Sequence, residues 1–370
     1  MKIGRREAIK VGVGAGFGAV SLLRSELGLS PVLRAQSGAP PVVTPPRNPK
    51  FPQAPSWPTE LRRLKPNVFA YVQAGGPNAY PEGTRFAGGR GVANNGVIVG
   101  DDHLLVIDTL GQPFHVRNFM AAVRTTIGSK PFGRIINTHH HSDHVNGNQF
   151  FTPIDIVAHE FTRQMVLQRA AVEPHAAFVA LEGAADGSER LTLVAPNTTY
   201  DERLTYRYGD TVVELMHLGV GHTWGDTIVY LPQSKIMFVG DVLSFYTVPF
   251  SQHGRIGTWM KVLDTIVDMK VETIVPGHGP IGGRQDMLDV REYFQVLTRE
   301  ARKRYDAGMS AGKAAAEMTL GKFDNWIGAE RIVLNTCRLY EEWNGTLQPN
   351  LDIGFMRRAA DEFNAIKGAA

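Results

Sequence analysis

The 370-residue chain has one cysteine, Cys337, and lacks any apolar run of about 18 residues. A single cysteine excludes an intrachain disulfide, and its expected role is that of a small buried apolar residue. Without a long apolar run, no membrane-spanning helix is expected. A basic surplus is lacking too. The whole chain carries +3, but residues 1–35 hold six basic and two acidic residues, a net +4, which leaves −1 for the rest. A body so near neutrality has no electrostatic footprint for nucleic acid, and no nucleic-acid partner is expected. What is present, 43% hydrophobic and 20% charged residues, is the composition of an ordinary globular protein with a sizeable core.

The basic residues at the start have their own pattern. Arg5-Arg6 precedes the weakly apolar, Gly-rich run Val11–Leu23, and small residues follow near Ala35-Gln36-Ser37. In that order, these features over residues 1–35 resemble a bacterial twin-arginine export signal. The resemblance implies a periplasmic or secreted protein, with the twin-arginine export machinery as a partner. Residues 36–60 follow as a leader with eight prolines between 39 and 58, a composition that favours extended chain.

From residue 61 the chain reads as short strands and helices. Strands are expected at Asn67–Gln73, Gly96–Val99, His103–Asp108, Arg134–Asn137, Ile154–Ala158 and Thr273–Pro276, with alternating strand pattern over Leu204–Leu218 and Asp226–Asp241. Helical spacing covers Pro113–Ile127, Glu160–Arg169 and Trp259–Met269. Residues 171–190, rich in Ala and Gly, read as an excursion. After Gly283 the pattern turns helical, at Asp286–Ala307, Ala311–Met318, Ala329–Trp343 and Gly354–Ile366. The aromatics Phe323, Trp326, Tyr340 and Trp343 sit at core-like helical spacing. Strand clusters broken by helices in both halves predict an α/β architecture, two facing sheets with helices outside.

The chemistry is concentrated at residues 139–144, His139-His140-His141-Ser142-Asp143-His144, which contain His-x-His-x-Asp-His. Imidazole and carboxylate are costly to bury, so packing gains nothing from clustering them. A metal does: neutral imidazoles and a carboxylate are the donors zinc takes while keeping a position for water. Four other segments place a donor-type residue at or after a short apolar strand: Asp108, His222 in Gly221-His222-Thr223-Trp224, Asp241 in Val239-Gly240-Asp241, and His278 in Gly277-His278-Gly279. Strand ends converge on one rim of a sheet, so these residues can meet.

These five segments, in this order, resemble the metallo-β-lactamase-fold hydrolases, in particular the glyoxalase II-like branch with a bridging aspartate. The resemblance covers residues 61–282. It implies a four-layer αββα sandwich, with residues 283–370 as a helical extension that serves as a cover or a homodimer contact. His139, His141 and His222 would hold one metal, and Asp143, His144 and His278 a second. Asp241 would bridge the two, and Asp108 would orient a ligand from behind. The expected cofactor is two Zn2+, with Fe or Mn as alternatives. Two such ions lower the pKa of a shared water towards neutrality, and Asp143 is the ligand placed to orient it and handle its proton. The expected substrate is a small molecule carrying an ester, lactone, thioester or related amide bond. A β-lactamase of the non-cysteine type, a phosphoester hydrolase and an iron-dependent persulfide dioxygenase are the alternatives. Trp224, Phe245 and Tyr246 are expected near the substrate, and His103, His115, His159, His175, His217 and His253 on the surface or in the core.

Overall fold

The computed structural model describes residues 42–77, 92–172, 175–177 and 190–368. The export-signal segment, residues 1–35, and most of the Ala- and Gly-rich stretch lie outside the described residues.

Two mixed sheets face each other. The first contains β1 (Glu60–Lys65), β2 (Val68–Val72), β3 (Asn95–Val99), β4 (Leu104–Ile107), β5 (Phe132–Ile136) and β6 (Asp155–His159). A separate short hairpin, β7 (His175–Ala177) and β8 (Arg190–Thr192), follows, and β9 (Thr198–Tyr200) then closes the far edge of the first sheet beside β6. β1 to β4 pair antiparallel, whereas β4, β5, β6 and β9 run parallel. The second sheet is β10 (Arg203–Tyr208), β11 (Thr211–Met216), β12 (Ile228–Leu231), β13 (Ile236–Phe238) and β14 (Thr273–Val275), antiparallel except for the parallel β13–β14 pair. The two long alternating stretches of sequence are thus hairpins. The first turns at Gly209, with φ of +56°, and the second near Lys235.

Period-two alternation sorts side chains into layers. Leu105, Ile107, Ile136 and Val157 meet Val213, Val229, Leu231 and Phe238 between the sheets. Their neighbours Leu104, Val106, Ile135 and Ile156 point the other way, against Val116, Phe119 and Val123 of α1 (Pro113–Thr126). Those three residues recur at helical spacing, and Pro113 occupies the first turn, where its missing N–H is harmless. The short α2 (Ser142–Val145) and α3 (Glu160–Val172) belong to the first half.

On the outer face of the second sheet, Met216, Ile228, Tyr230 and Met237 pack against α4 (Ile256–Asp268), α5 (Arg284–Asp306), α6 (Ala311–Glu317), α7 (Ile332–Asn344) and α8 (Ile353–Lys367). Trp259 of α4 is fully buried at the centre of this layer. The result is the expected αββα sandwich, with α5–α8 fused to its second helical layer. Phe323 and Tyr340 lie in that shared core, and Trp326 and Trp343 pack against it.

The Pro-rich leader is docked from Val42 onward. Val43 N donates to Asn364 Oδ1 at 2.7 Å, and Asn48 N donates to Asn325 Oδ1 at 2.7 Å. Asn325 Nδ2 returns bonds to the carbonyls of Asn48 and Phe51, both at 2.8 Å. Proline-rich chain lacks donors but keeps every carbonyl, and one asparagine reads them.

Candidate metal centre

The C-terminal ends of β4, β5, β11, β13 and β14 lie at one rim, because β4–β5 and β13–β14 run parallel and β11 points the same way as β13. Asp108 follows β4, the histidine cluster follows β5, His222 follows β11, Asp241 follows β13, and His278 follows β14. Backbone approach at the centre is close. A Cβ on Gly277 would stand 1.9 Å from Asp241 Oδ1, and Gly240 takes a φ of +51° just before that aspartate.

Donor atoms of His139, His141, His222 and Asp241 form one group, and those of Asp143, His144 and His278 form another. In the first group the His139, His141 and His222 rings stand 4.6–4.7 Å apart, centroid to centroid. Asp241 reaches both groups. Its Oδ2 lies 3.4 Å from His222 Nε2 and 3.1 Å from His278 Nε2, and its Oδ1 lies 3.1 Å from His144 Nε2. Asp143 Oδ2 lies 3.3 Å from His278 Nε2. All seven residues expected as ligands are therefore gathered at one place.

In His144 and His278 the ring nitrogen away from this centre is tied down, which leaves Nε2 free. His144 Nδ1 donates to Asp108 Oδ2 at 2.7 Å, and His278 Nδ1 donates to the Val92 carbonyl at 2.6 Å. Asp108 also accepts from Thr138 N and Thr138 Oγ1, at 2.7 and 2.6 Å. Its φ of +60° is a strained conformation for a non-glycine residue, held here by those bonds. The turn carrying His222 is braced by Asp226, which accepts from Thr223 N and Thr223 Oγ1. Burial pushes the Asp226 carboxyl up to about 7, against the opposing pull of those bonds.

Electrostatics divide the site. Burial first, then the neighbouring imidazoles, holds His139 and His141 well below the ordinary histidine range, and burial brings His222 to about 4. These rings are neutral, the form a metal takes. Burial also opposes charge on His144 and His278, but Asp241 and the other carboxylates outweigh it. They raise His144 well above the ordinary value and His278 to about 9. The same imidazoles overcome desolvation at Asp143, lowering it to about 2, and hold Asp241 well below the usual carboxylate range.

A metal fits these residues. His139 Nε2, His144 Nε2 and Asp241 Oδ1 are buried atoms without a hydrogen-bond partner. Such orphans are costly in a protein interior, and cations held by the two donor groups would satisfy all three.

The residues expected near the substrate are placed differently from one another. Trp224 is half-buried, with its ring 6.3 Å from Phe161 and its Nε1 unpartnered. Phe245 is 1% exposed within the core of the second helical layer. Tyr246 packs partly buried against that core, and burial, then the nearby carboxylates of Asp286 and Asp289, raises its phenol above the ordinary range. Phe250 lies nearer the centre, with its ring 6.3 Å from His141.

Sequence reasoning missed a supporting shell. Asn148 accepts from Thr109 Oγ1 and Asn137 Nδ2, donates back to Asn137 Oδ1, and so ties the histidine loop to the end of β5. Asn94 donates to the carbonyls of Pro276 and Gly279 around His278. His253, read as a surface or core residue, is buried with its Nδ1 2.6 Å from His141 Nε2. Its donor atoms form a third group with those of His140 and His141. His140 is buried with neither ring nitrogen partnered.

Comparison with known proteins agrees with this geometry. The chain is 27% identical over 191 residues to the 2,4-dinitroanisole O-demethylase subunit alpha of Nocardioides sp., covering 51% of this chain and 53% of that protein. It is 26% identical over 240 residues to a linear primary-alkylsulfatase of Pseudomonas sp., covering 55% and 44%. The chain thus spans about half the length of the curated relatives it matches. Among solved structures, the stereoselective inverting sec-alkylsulfatase Pisa1 from Pseudomonas sp. superposes with a TM-score of 0.57 at 18% identity, over 78% of this chain and 51% of that one. A metallo-beta-lactamase from Pontibacter korlensis superposes with a TM-score of 0.50 at 18% identity, over 64% and 99%. At that identity, both show a shared fold. Residues 88–278 match the model of the metallo-beta-lactamase superfamily, and the chain belongs to that superfamily.

Proposed function

We propose that this chain is a two-metal hydrolase that cleaves an oxygen-linked ester of a small organic alcohol. The observation that carries the reading is Asp241, whose two carboxylate oxygens lie within 3.1–3.4 Å of imidazoles from both donor groups. A carboxylate in that position matches the bridging acid expected from the resemblance to the glyoxalase II-like branch. Imidazole nitrogen with carboxylate oxygen is a donor set suited to zinc.

Two bound divalent ions would supply Lewis-acid polarisation of the ester and a water of lowered pKa. The chain's own residues do the rest. Asp108 keeps the His144 proton on Nδ1, leaving Nε2 free as a ligand. The Val92 carbonyl does the same for His278. Asp143 is the most open of the acids, with its side chain 23% exposed against 8% for Asp241 and 3% for Asp108. Held ionised by His144 and His278, its partly exposed carboxylate would orient a water at the site and handle its proton.

Support for the substrate class comes from the relatives. The two curated relatives are named as a 2,4-dinitroanisole O-demethylase subunit and a linear primary-alkylsulfatase. An alkyl sulfate ester therefore joins carboxylic esters and lactones as a substrate to test. The twin-arginine pattern supports export to the periplasm in folded, metal-loaded form.

The test is turnover by the zinc-loaded protein on a matched panel of carboxylic ester, lactone, thioester, alkyl sulfate, phosphoester and cephalosporin. The reading expects turnover on at least one oxygen ester. Turnover confined to the cephalosporin, or none on any substrate with two metals bound, would overturn it.

A further inference from the structure

We infer that helix α7 of the C-terminal extension is a working part of the metal centre. Through the loop 248–257 it holds His253 where that imidazole fixes the proton on His141. The inference rests on the two-metal reading and extends it to residues beyond the sandwich.

The contacts run in register. Arg331 at the N-cap of α7, then Asn335, Arg338 and Glu342, recur at intervals of four, three and four, which is one face of a helix. Arg331 Nη1 donates to the Val248 carbonyl at 2.7 Å. Asn335 Nδ2 donates to the Pro249 carbonyl at 2.8 Å, and its Oδ1 accepts from Ser251 Oγ at 2.6 Å. Arg338 Nη2 donates to the Gly254 carbonyl at 2.8 Å, and Glu342 accepts from the amides of Ile256 and Gly257. The loop is thus clamped on both sides of His253 by polar groups of a single helix face. Arg338 is fully buried and paired with Glu341 at 2.6 Å, so the clamp is also charge-balanced.

Loop placement matters because of what His253 touches. His141 Nδ1 faces the donor cluster, 2.8 Å from His222 Nε2. A ligand nitrogen must be unprotonated, so the His141 proton resides on Nε2, and there it donates to His253 Nδ1 at 2.6 Å. His253 therefore selects the tautomer of His141 and aims its ring. It is a positioning residue, as Asp108 is for His144. A purely space-filling residue would need no acceptor at Nδ1.

The test compares three variants by zinc competition against a chromogenic chelator, with thermal melting of the metal-free proteins as a check on folding. His253→Leu is expected to weaken the His139–His141–His222 group by about 10–100-fold, the range for changes behind a ligand. His253→Asn, whose carbonyl can stand near the position of Nδ1, should recover most of that loss. Glu342→Ala, at the end of the clamp, should weaken the same group and spare the Asp143–His144–His278 group. Should the leucine variant not fold, His253→Gln, which moves the acceptor away from Nδ1, replaces it in the comparison. Wild-type affinity in His253→Leu, or equal loss in the Leu and Asn variants, would overturn the inference while leaving the two-metal reading intact. A wild-type protein that binds no metal would overturn both.

Discussion

Replacing Asp108 by Asn changes one atom and removes one charge, and its consequence can be followed bond by bond. The backbone there has a φ of +60°, which asparagine tolerates, so the exchange adds no backbone strain. Oδ1 accepts from Thr138 N, and an asparagine oxygen can keep that bond. The amide NH2 then replaces Oδ2, the atom that accepts from Thr138 Oγ1 at 2.6 Å and His144 Nδ1 at 2.7 Å. The threonine hydroxyl can rotate and accept instead. The imidazole cannot remain as it is, because two donors now face each other. Its proton moves to Nε2, the nitrogen facing Asp241, or the contact breaks. Loss of a hydrogen bond to a charged group costs about 1.5–3 kcal/mol, which corresponds to roughly 10–100-fold in an equilibrium constant. Zinc competition should therefore show the Asp143–His144–His278 group weakened about 10–100-fold, with the His139–His141–His222 group near wild type. Equal, wild-type affinity at both groups would refute the assignment of Asp108 as the residue that sets the His144 tautomer.

In the metal-free protein His278 is raised to about 9 from an ordinary 6.5, so its charged form stabilises the fold fully below about pH 6.5, and that contribution is lost as pH rises through about 9. Melting temperature of metal-free protein should fall across that window, whereas zinc affinity should rise, because binding must displace the proton; a flat metal-free profile would contradict the charge distribution. Gly277→Ala places a Cβ 1.9 Å from Asp241 Oδ1 and 2.7 Å from the Gly240 carbonyl carbon, so Asp241 must move, and metal content should fall below two per chain while the protein still folds. Trp259→Ala removes a fully buried ring whose Nε1 donates to the Val242 carbonyl at 3.0 Å, and denaturant melts should show a loss of about 3–5 kcal/mol. Cys337 is fully buried and its thiol is pushed far up by desolvation, so alkylation should occur only after unfolding; rapid native labelling would contradict its place in the shared core.

The sandwich and the convergence of seven donor-type residues were legible because their signals are local. Each donor stands at or just beyond the end of a short apolar strand, and strand ends of parallel neighbours share a rim. Two edge strands were not legible. β1 reads Glu-Leu-Arg-Arg-Leu-Lys, a charged edge, and β9 has only three residues. His253 was hidden for another reason. Ser251-Gln252-His253-Gly254 has no ligand spacing, and the groups that place it arrive 84 residues later, from α7. Phe245 illustrates the converse: adjacency to Asp241 suggested the substrate side, but the chain turns and delivers its ring to the core. The docked leader depends on Asn325, a single polar residue in a distant turn, which no composition count reveals.

In the proposed two-metal centre one carboxylate, Asp241, serves both sites. Calorimetric titration of metal-free protein with zinc, run on the wild type and on Asp241→Asn, tests it most directly. Two zinc ions are expected per wild-type chain, and in the variant a loss of affinity at both sites rather than one. A wild type that takes up a single ion, or a variant in which one of the two sites keeps its full affinity, would contradict it.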